Sequence, residues 1–193
     1  MTTVLLMGPP GAGKGTHAGH LAAHLGVPVI STGDLFRRNI ADGTELGKTA
    51  QGYLDAGEYV PDEVTNAMVR DRLADAEARP GFVLDGYPRT LDQARVLDEI
   101  LGAQGRSLDA ALVLQVEAET LVHRLLRRAE IEHRSDDTEE VIRRRFEVYH
   151  EQTAPLIHFY SGRGIHHEVD ASDDIDTVRT RVWQVAVQLK PAA

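Results

Sequence analysis

Short apolar runs alternate along the chain with longer segments in which apolar residues recur every three or four positions. The apolar runs predict buried strands at residues 2–7, 28–30, 81–85, 110–116 and 164–169. The longer segments predict helices at 14–25, 44–56, 61–76, 90–103, 117–129, 139–160 and 175–189, and the polar stretch 31–34 is suited to cap one more. The run 110–116 is almost entirely apolar, which is typical of a strand covered on both faces. Strands alternating with helices predict an α/β fold, in which a parallel sheet has helices on both sides.

A glycine-rich loop, GPPGAGKGT at residues 8–16, lies directly between the first strand and the first helix. Glycines let backbone N–H groups turn inward around phosphate oxygens, and the helix N-terminus adds its positive end. Lys14 would reach the β- and γ-phosphates of a bound nucleotide. The general pattern has a hydroxyl directly after the lysine, whereas here Gly15 stands there and the hydroxyl follows on Thr16. The loop therefore predicts a nucleotide phosphate site in which the hydroxyl comes one residue later than in the general pattern.

An acid, Asp85, ends the third predicted strand and is followed at once by Gly-Tyr-Pro-Arg. In nucleoside-triphosphate enzymes an acid in this position holds Mg²⁺ or its water shell. Taken alone, such an acid would more often cap a strand. Downstream of a phosphate loop, the metal interpretation is favoured.

Charge and composition restrict the class of partner. The net charge is −9, which argues against a nucleic-acid partner, because phosphate backbones attract basic surfaces. No stretch reaches the roughly 20 apolar residues that cross a bilayer, so we expect no membrane partner. The chain has no cysteine, which excludes disulfides and thiolate metal sites and is compatible with a cytoplasmic location.

Arginines are concentrated in one part of this acidic chain. They are either solvated faces of helices or a local anion site, and composition leaves both interpretations open. The seven are Arg124, Arg127, Arg128, Arg134, Arg143, Arg144 and Arg145.

Four motifs, in order, carry a family resemblance. GPPGAGKGT at 8–16, STGDLFR at 31–37, GFVLDGYPRT at 81–90 and RSDDT at 134–138 together resemble adenylate kinase, from the first strand to the last helix. The resemblance implies one domain over 1–193: a P-loop core with a five-stranded parallel sheet, a helical monophosphate-binding segment at about 31–60 and a short lid at about 128–138. It also accounts for Gly15-Thr16, because in this family the glycine lets phosphate approach closely and Mg²⁺ is held largely through waters.

The resemblance implies specific roles for residues of this chain. Those matching the ATP side are Gly11, Ala12, Gly13, Lys14, Gly15, Thr16, Arg124, Arg128 and, through its backbone, Asp173. Those matching the AMP side are Thr32, Gly33, Arg37, Glu58, Tyr59, Val60, Gly86, Tyr87, Pro88, Arg89, Gln93, Arg134 and Arg145. The implied catalytic set is Lys14, Arg89, Arg128, Arg134 and Arg145, with Asp136 and Asp137 orienting the lid arginines. Asp34 and Asp85 would hold Mg²⁺ through water.

The lid departs from the longer members of the family. Only AEIEH separates Arg128 from Arg134, so the chain resembles a short-lid form and no zinc site is expected. Arg127 replaces an expected glycine, and its role stays open. The implied reaction is ATP + AMP ⇌ 2 ADP with Mg²⁺, which serves adenine nucleotide homeostasis. It needs no general base, since the attacking AMP phosphate is already ionised, and we expect the enzyme to be a monomer.

Two other functions remain alternatives. A UMP/CMP kinase would share the fold, but Thr32 and Thr90 favour AMP, because pyrimidine enzymes tend to have alanine and asparagine there. A nucleotide-binding protein without catalysis would not need Arg37, Arg89 and Gln93, which serve a second nucleotide.

Residues outside these motifs are expected to be structural. His17, His20 and His24 are predicted on a helix surface, without a metal. The pair His166-His167 is predicted to be structural, and Trp183 to pack in the core.

Overall fold

A parallel five-stranded sheet lies at the centre of the computed structural model, which describes residues 2–132 and 137–189. The strands are β1 Thr2–Met7, β2 Val29–Ser31, β3 Gly81–Asp85, β4 Ala110–Gln115 and β5 His166–Asp170. Their order across the sheet is β2-β3-β1-β4-β5, and every neighbouring pair is parallel. The predicted fold class, a parallel sheet of five strands with helices around it, is confirmed.

Helices connect the strands, and two lie between β2 and the long helix before β3. They are α1 Lys14–Leu25, α2 Thr32–Ala41, α3 Glu45–Asp55, α4 Asp62–Ala74, α5 Leu91–Ala103, α6 Ala118–Glu132, α7 Glu139–Val148, α8 Pro155–Ser161 and α9 Ile175–Leu189. A short 3₁₀ turn, Ala76–Ala78, follows α4. Most bounds agree with the sequence pattern to within a few residues.

The prediction of one helix over 139–160 is wrong. The chain leaves α-helical geometry after Val148 and makes a π-helical turn, Tyr149–Thr153, before α8 begins. Pro155 has no N–H, so it cannot continue the four-residue hydrogen-bond ladder. Instead the N–H of Ala154 donates to the carbonyl of Tyr149, five residues back, at 2.9 Å. The proline therefore gives a physical reason for the interruption.

The core is divided by the sheet. Successive side chains of β1 face opposite sides, so that Leu5 packs against α4, α5 and α8 while Leu6 packs against α1 and α9. A smaller third cluster, Phe36, Ala50 and Val60, joins α2 to α3 and to the segment that follows. Helices thus cover both faces of the sheet, and α2 and α3 have a small apolar cluster of their own.

Two predictions about α1 and α9 are wrong. Trp183 is 47 % exposed, because the buried stripe of α9 is formed by Val178, Val182 and Ala186, and Trp183 follows one position round the helix. Its indole Nε1 donates to Nε2 of His24 at 2.7 Å.

His17 is buried, whereas His20 and His24 lie on the helix surface as predicted. Its ring packs beside the glycine loop, because a Cβ placed on Gly13 would lie 3.3 Å from His17 Cδ2. Within residues 2–132 and 137–189, no group of three or more His, Cys, Asp or Glu side chains is placed to hold a metal ion.

The contact between α2 and α3 depends on one glycine. A Cβ on Gly47 would lie 2.1 Å from the carbonyl oxygen of Asn39, which no side-chain rotation can relieve. Gly52, one and a half turns further along α3, has no atom within 4 Å of the same position. A substitution at Gly47 therefore tests packing between α2 and α3, whereas one at Gly52 tests helix propensity alone.

We expect Gly47→Ala to lower the free energy of unfolding by about 1–3 kcal/mol, because α3 must move away from α2. Gly52→Ala should raise it by about 0.5–1 kcal/mol through helix propensity alone. Urea unfolding of both variants measures the difference, and equal effects would contradict the packing argument.

Candidate functional site

The glycine loop joins β1 to α1 at the carboxyl edge of the sheet. Gly13, the residue before α1, has φ +86°, a left-handed conformation that favours glycine. Ala12 is buried in the core, so only its backbone faces the loop, whereas Gly15 and Thr16 are exposed in the first turn of α1. The loop therefore offers backbone N–H groups and a helix N-terminus to an anion.

Lys14 is turned back onto this loop. Its Nζ donates to the carbonyls of Gly8 at 2.8 Å and Pro9 at 2.9 Å. Burial lowers the pKa of Lys14 to about 8; Asp85 acts against the shift, and nearby arginines add to it. The lysine is thus held as a cation that lacks a full counter-charge.

The two predicted metal carboxylates are placed differently. Asp85 is buried at the end of β3, where burial raises its pKa while Lys14 and Arg89 oppose the shift. The hydroxyl of Ser31 lies 3.5 Å from its Oδ2. Asp34 is largely exposed on α2 and pairs with Arg37 instead. Only Asp85 lines a cavity.

Two cavities adjoin at this edge of the sheet. The narrow cavity, of about 100 Å³, includes every described residue of the predicted AMP side: Thr32, Gly33, Arg37, Glu58, Tyr59, Val60, Gly86, Tyr87, Pro88, Arg89, Gln93 and Arg145. The wide cavity, of about 670 Å³, is lined by Gly11, Gly13, Thr16, Asp85, Arg124, Arg127, Arg128 and Asp173, among others. Four cations line both: Lys14, Arg37, Arg89 and Arg145. They are called the cation wall below.

The turn after β3 supports one member of the cation wall. The Tyr87–Pro88 peptide bond is cis. The carbonyl of Gly86 accepts from Nε of Arg89 at 2.7 Å and from the hydroxyl of Thr32 at 2.9 Å. A Cβ on Gly86 would lie only 3.1 Å from Nη2 of Arg89, so a larger residue would crowd the guanidinium. The glycine is required here by close approach as well as by its φ of +77°.

Gln93 is fixed by hydrogen bonds at both ends of its amide. Its Oε1 accepts from the N–H of Arg89 and its Nε2 donates to Asp62 Oδ1, each at 2.7 Å. The other oxygen of Asp62 accepts from the hydroxyl of Thr90 at 2.7 Å. Asp62, in the first turn of α4, thus orients two residues that the sequence connected with the second nucleotide.

A buried carboxylate holds two arginines near the wide cavity. Asp137, whose side chain is 0 % exposed, accepts from Nε and Nη2 of Arg128 at 2.6 and 2.7 Å. It also accepts from Nη1 of Arg145 at 2.7 Å. Asp137 lines neither cavity, and its connection to them is through these two arginines. The predicted partners Arg134 and Asp136 lie outside the described residues.

Arg124 contacts the loop after β5. Its guanidinium donates to the carbonyls of Ala171 at 3.0 Å and of Ser172 and Asp173 at 3.2 Å. The carboxylate of Asp173 is turned to Arg181 on α9, 2.5 Å away. Arg124 therefore shapes one wall of the wide cavity.

Comparison with known proteins supplies the family. Residues 6–165 match the adenylate kinase family model. The chain is 57 % identical over 178 residues to an adenylate kinase of Thermobifida fusca, which covers 92 % of this chain and 94 % of that one. It is 54 % identical over 181 residues to an adenylate kinase of a Nocardioides species, covering 94 % and 95 %. For an adenylate kinase of Kocuria rhizophila the identity is 56 % over 182 residues, covering 94 % and 97 %.

The chain belongs to the adenylate kinase family. The resemblance stated from the four motifs is thereby confirmed. Members of this family are phosphotransferases that act on nucleotides, so both cavities are candidates for nucleotides. Among the helices of the described residues, none is long and apolar enough to cross a membrane.

The motifs missed several residues of the narrow cavity region. Tyr149 and Thr153 line the cavity from the π-helical turn, and Asp62 lies behind Gln93. A signal for the turn does exist in the sequence, because Pro155 within a helical pattern indicates a break. Asp62 had no such signal, since an acid in the first turn of a helix is ordinary.

We expect ATP affinity to depend on pH through Lys14. Its pKa is about 8 in the free protein, and bound phosphate favours the charged form. The affinity should therefore be constant below that pH and fall above it, by up to about tenfold per pH unit, with proton uptake on binding. Calorimetry in buffers of different ionisation enthalpy measures both effects.

Lys14→Arg is the control, because arginine stays ionised across this range. The pH slope and the proton uptake should both disappear in that variant. If they persist, Lys14 is not the titrating group.

Proposed function

We propose that this chain catalyses reversible Mg²⁺-dependent transfer of a phosphoryl group from ATP to AMP, giving two ADP. The observation that carries the proposal is the cation wall: Lys14, Arg37, Arg89 and Arg145 line both cavities. During transfer the phosphoryl group lies between the donor and the acceptor nucleotide. Its negative charge is therefore stabilised by cations that line both cavities. A protein that senses one nucleotide needs only one cavity.

We assign ATP to the wide cavity and AMP to the narrow one. The glycine loop, from Gly11 to Thr16, would hold the ATP phosphates, with Arg124, Arg128 and the backbone of Asp173 beyond them. The narrow cavity would hold AMP over the Gly86–Arg89 turn, with its base near Gln93. Residues 31–60 would form the monophosphate-binding segment and residues 128–138 the short lid of a single domain, 1–193.

The chemistry required of these residues is positioning and charge stabilisation. The AMP phosphate attacks as an ionised oxygen, so no side chain needs to remove a proton. Phosphoryl transfer proceeds in line, with charge over the equatorial oxygens of the transferred group. Lys14, Arg89 and Arg145 are placed to meet that charge, and arginine suits the task because its planar fork binds phosphate bidentately.

Arg128 and Arg145 would bind the phosphates while they keep part of their contact with Asp137. Arg128 and Arg145 are held on Asp137 in the structure, and a guanidinium that binds a carboxylate can bind a phosphate in the same way. We propose that Asp137 keeps both side chains close to the transfer site. Arg134 and Asp136 would contribute to the same lid.

The oxygens at this site suit Mg²⁺, which prefers carboxylates and retained waters. Asp85 fits, because it is a buried carboxylate on the wall of the wide cavity, beside Lys14. Asp34 would first have to leave Arg37. When bound with ATP, Mg²⁺ would neutralise part of the phosphate charge.

The cavity sizes support movement of the α2–α3 segment. Pockets for small molecules are usually about 300–1,000 Å³, which the narrow cavity does not reach. We propose that the segment opens to admit AMP and closes over it, excluding water from the transferred group.

The described residues of one chain line both cavities, which supports a monomer. A cytoplasmic role in adenine nucleotide balance fits the absence of cysteine.

AMP is proposed as the acceptor in preference to UMP or CMP. Thr32 and Thr90 occupy the two discriminating positions, and both hydroxyls are engaged, on Gly86 and Asp62. The comparisons favour the same substrate, since each relative named above is called an adenylate kinase.

With ATP as donor, we expect kcat/KM for AMP to exceed those for CMP and UMP by at least about tenfold, because Gln93 and its partners present hydrogen bonds fixed for one base. A coupled assay of ADP formation measures all three acceptors. A preference for CMP would overturn the assignment.

Lys14→Met and Arg89→Ala are each expected to lower turnover by on the order of 10³-fold or more, since each removes a cation from the transfer site. Arg38→Ala is the control, because Arg38 is an exposed cation of α2 that lines neither cavity; its turnover should stay within about twofold.

Lys14→Met should not lower the stability of the free protein at pH 7. A lowered lysine pKa means that the fold disfavours the charged form, and this cost is present at every pH below about 8. Thermal unfolding should show an equal or higher midpoint.

Near-normal ADP production by Lys14→Met or by Arg89→Ala would contradict the site assignment.

A further inference from the structure

Arg89 lines both cavities and is held by three hydrogen bonds, none of which involves its two terminal nitrogens. Its backbone N–H donates to Gln93, its Nε donates to Gly86, and its carbonyl accepts from the hydroxyl of Thr153 at 2.8 Å. Among residues 2–132 and 137–189, neither Nη1 nor Nη2 of Arg89 has a hydrogen-bond acceptor. These hydrogen bonds therefore leave the orientation of the two terminal nitrogens, Nη1 and Nη2, to be fixed by another contact.

The aromatic ring of Tyr59 covers that guanidinium. The Cζ of Arg89 lies 4.8 Å from the ring centroid, within the range of a cation–π contact. Such a contact fixes the plane of the guanidinium but uses none of its N–H groups. The nitrogens stay available for a phosphate.

A hydrogen-bond chain fixes Tyr59 in turn. Its hydroxyl lies 2.7 Å from Oγ1 of Thr153. Because Thr153 spends its one proton on the carbonyl of Arg89, the Tyr59 hydroxyl must be the donor to Thr153. Tyr59, Thr153 and Arg89 thus form a closed ring of contacts: phenol to threonine, threonine to backbone, and aromatic face to guanidinium.

The three residues come from separate parts of the chain. Tyr59 follows α3, Arg89 follows β3, and Thr153 ends the π-helical turn, where it is buried. Single π-helical turns within helices occur frequently at functional sites. Here the turn supplies the hydroxyl that connects the other two.

We propose that Tyr59, anchored by Thr153, is a positioning residue that holds the Arg89 guanidinium facing the phosphate of the acceptor monophosphate. The proposal rests on the proposed function and gives the side chain of Tyr59, which lines the narrow cavity, a specific role there. Tyr59 acts through Arg89, so its loss should affect the phosphate and not the base.

The test measures ADP formation from ATP and AMP together with adenosine binding. We expect Tyr59→Leu to lower kcat/KM for AMP by about tenfold, through loss of the cation–π contact. The KM for ATP and the Kd for adenosine, which has no phosphate, should each change by less than about twofold. Unchanged kcat/KM for AMP would overturn the proposal. An equal loss of adenosine affinity would also overturn it, because the ring would then serve the base.

Tyr53→Leu is the matched control. Tyr53 lies on α3 in the same segment, is 39 % exposed and lines neither cavity. All of its parameters should stay within about twofold of the wild type.

Two milder variants decide the question if Tyr59→Leu does not fold. Tyr59→Phe removes only the hydroxyl, and Thr153→Val removes its acceptor. Each should lower kcat/KM for AMP by about threefold or more. The double variant should be no worse than Thr153→Val alone, because that substitution already removes the contact with Tyr59 together with the one to the Arg89 carbonyl. No loss, or fully additive losses, would overturn the proposal. Failure of the proposed function is distinguishable, since the wild type would then form no ADP.

Discussion

Mutual repulsion among the buried and half-buried cations is the constraint on which this site depends. Lys14, Arg37, Arg89 and Arg145 converge on one wall, and like charges in a medium of low dielectric repel more strongly than in water. Burial is the main cause of the lowered pKa of Lys14, and repulsion by Arg89, Arg145 and Arg128 adds to it. The free protein holds the cations apart or partly neutralised: Lys14 on loop carbonyls, Arg37 on Asp34, and Arg145 on Asp137. In the proposed assignment, nucleotide phosphates would relieve this repulsion, because they bring negative charge to the cation wall.

The parallel sheet is what brings these groups together. In a parallel sheet the carboxyl ends of all strands meet at one edge, where ligands bind. The glycine loop follows β1, Thr32 follows β2, Asp85 ends β3 and Ala171 follows β5. The sheet therefore brings segments that are far apart in the sequence to the same two adjoining cavities.

The same geometry explains what the sequence could predict. The glycine loop, the strand ends and the GYPRT turn are local patterns, whose backbone conformation follows from residues close in sequence. Once the order of strands is known, these patterns must share one edge, and the predicted AMP side is found together in the narrow cavity. Asp62 carried no such signal, and Pro155 indicates a break near Thr153 but not which residues Thr153 contacts. Their partners lie 28 to 94 residues away, and ordinary polar residues reveal such contacts only in three dimensions.

The errors have a similar origin. Residue type and spacing predict Trp183 in the core and His17 on a helix surface. Each residue of a helix is rotated by about 100° from the one before it, so a shift of one position changes the face. The buried stripe of α9 leaves Trp183 outside, and the loop glycine Gly13 leaves room for the His17 ring beneath it. Helix existence was therefore easier to predict than helix orientation.

Asp137 shows how a fully buried carboxylate can serve a site that it does not touch. A lone buried charge is costly, and Asp137 avoids the cost only while arginines saturate its oxygens. In the proposed reaction, Arg128 and Arg145 would also bind a phosphate, which is the stronger partner because it carries more charge than a carboxylate. If both left completely, the carboxylate would be buried without a partner. The arrangement therefore favours sharing: the guanidiniums, with five N–H donors each, can keep contact with Asp137 while binding phosphate with the rest. In the proposed reaction, Asp137 would limit how far the two arginines move and would keep them aligned with the transferred phosphoryl group.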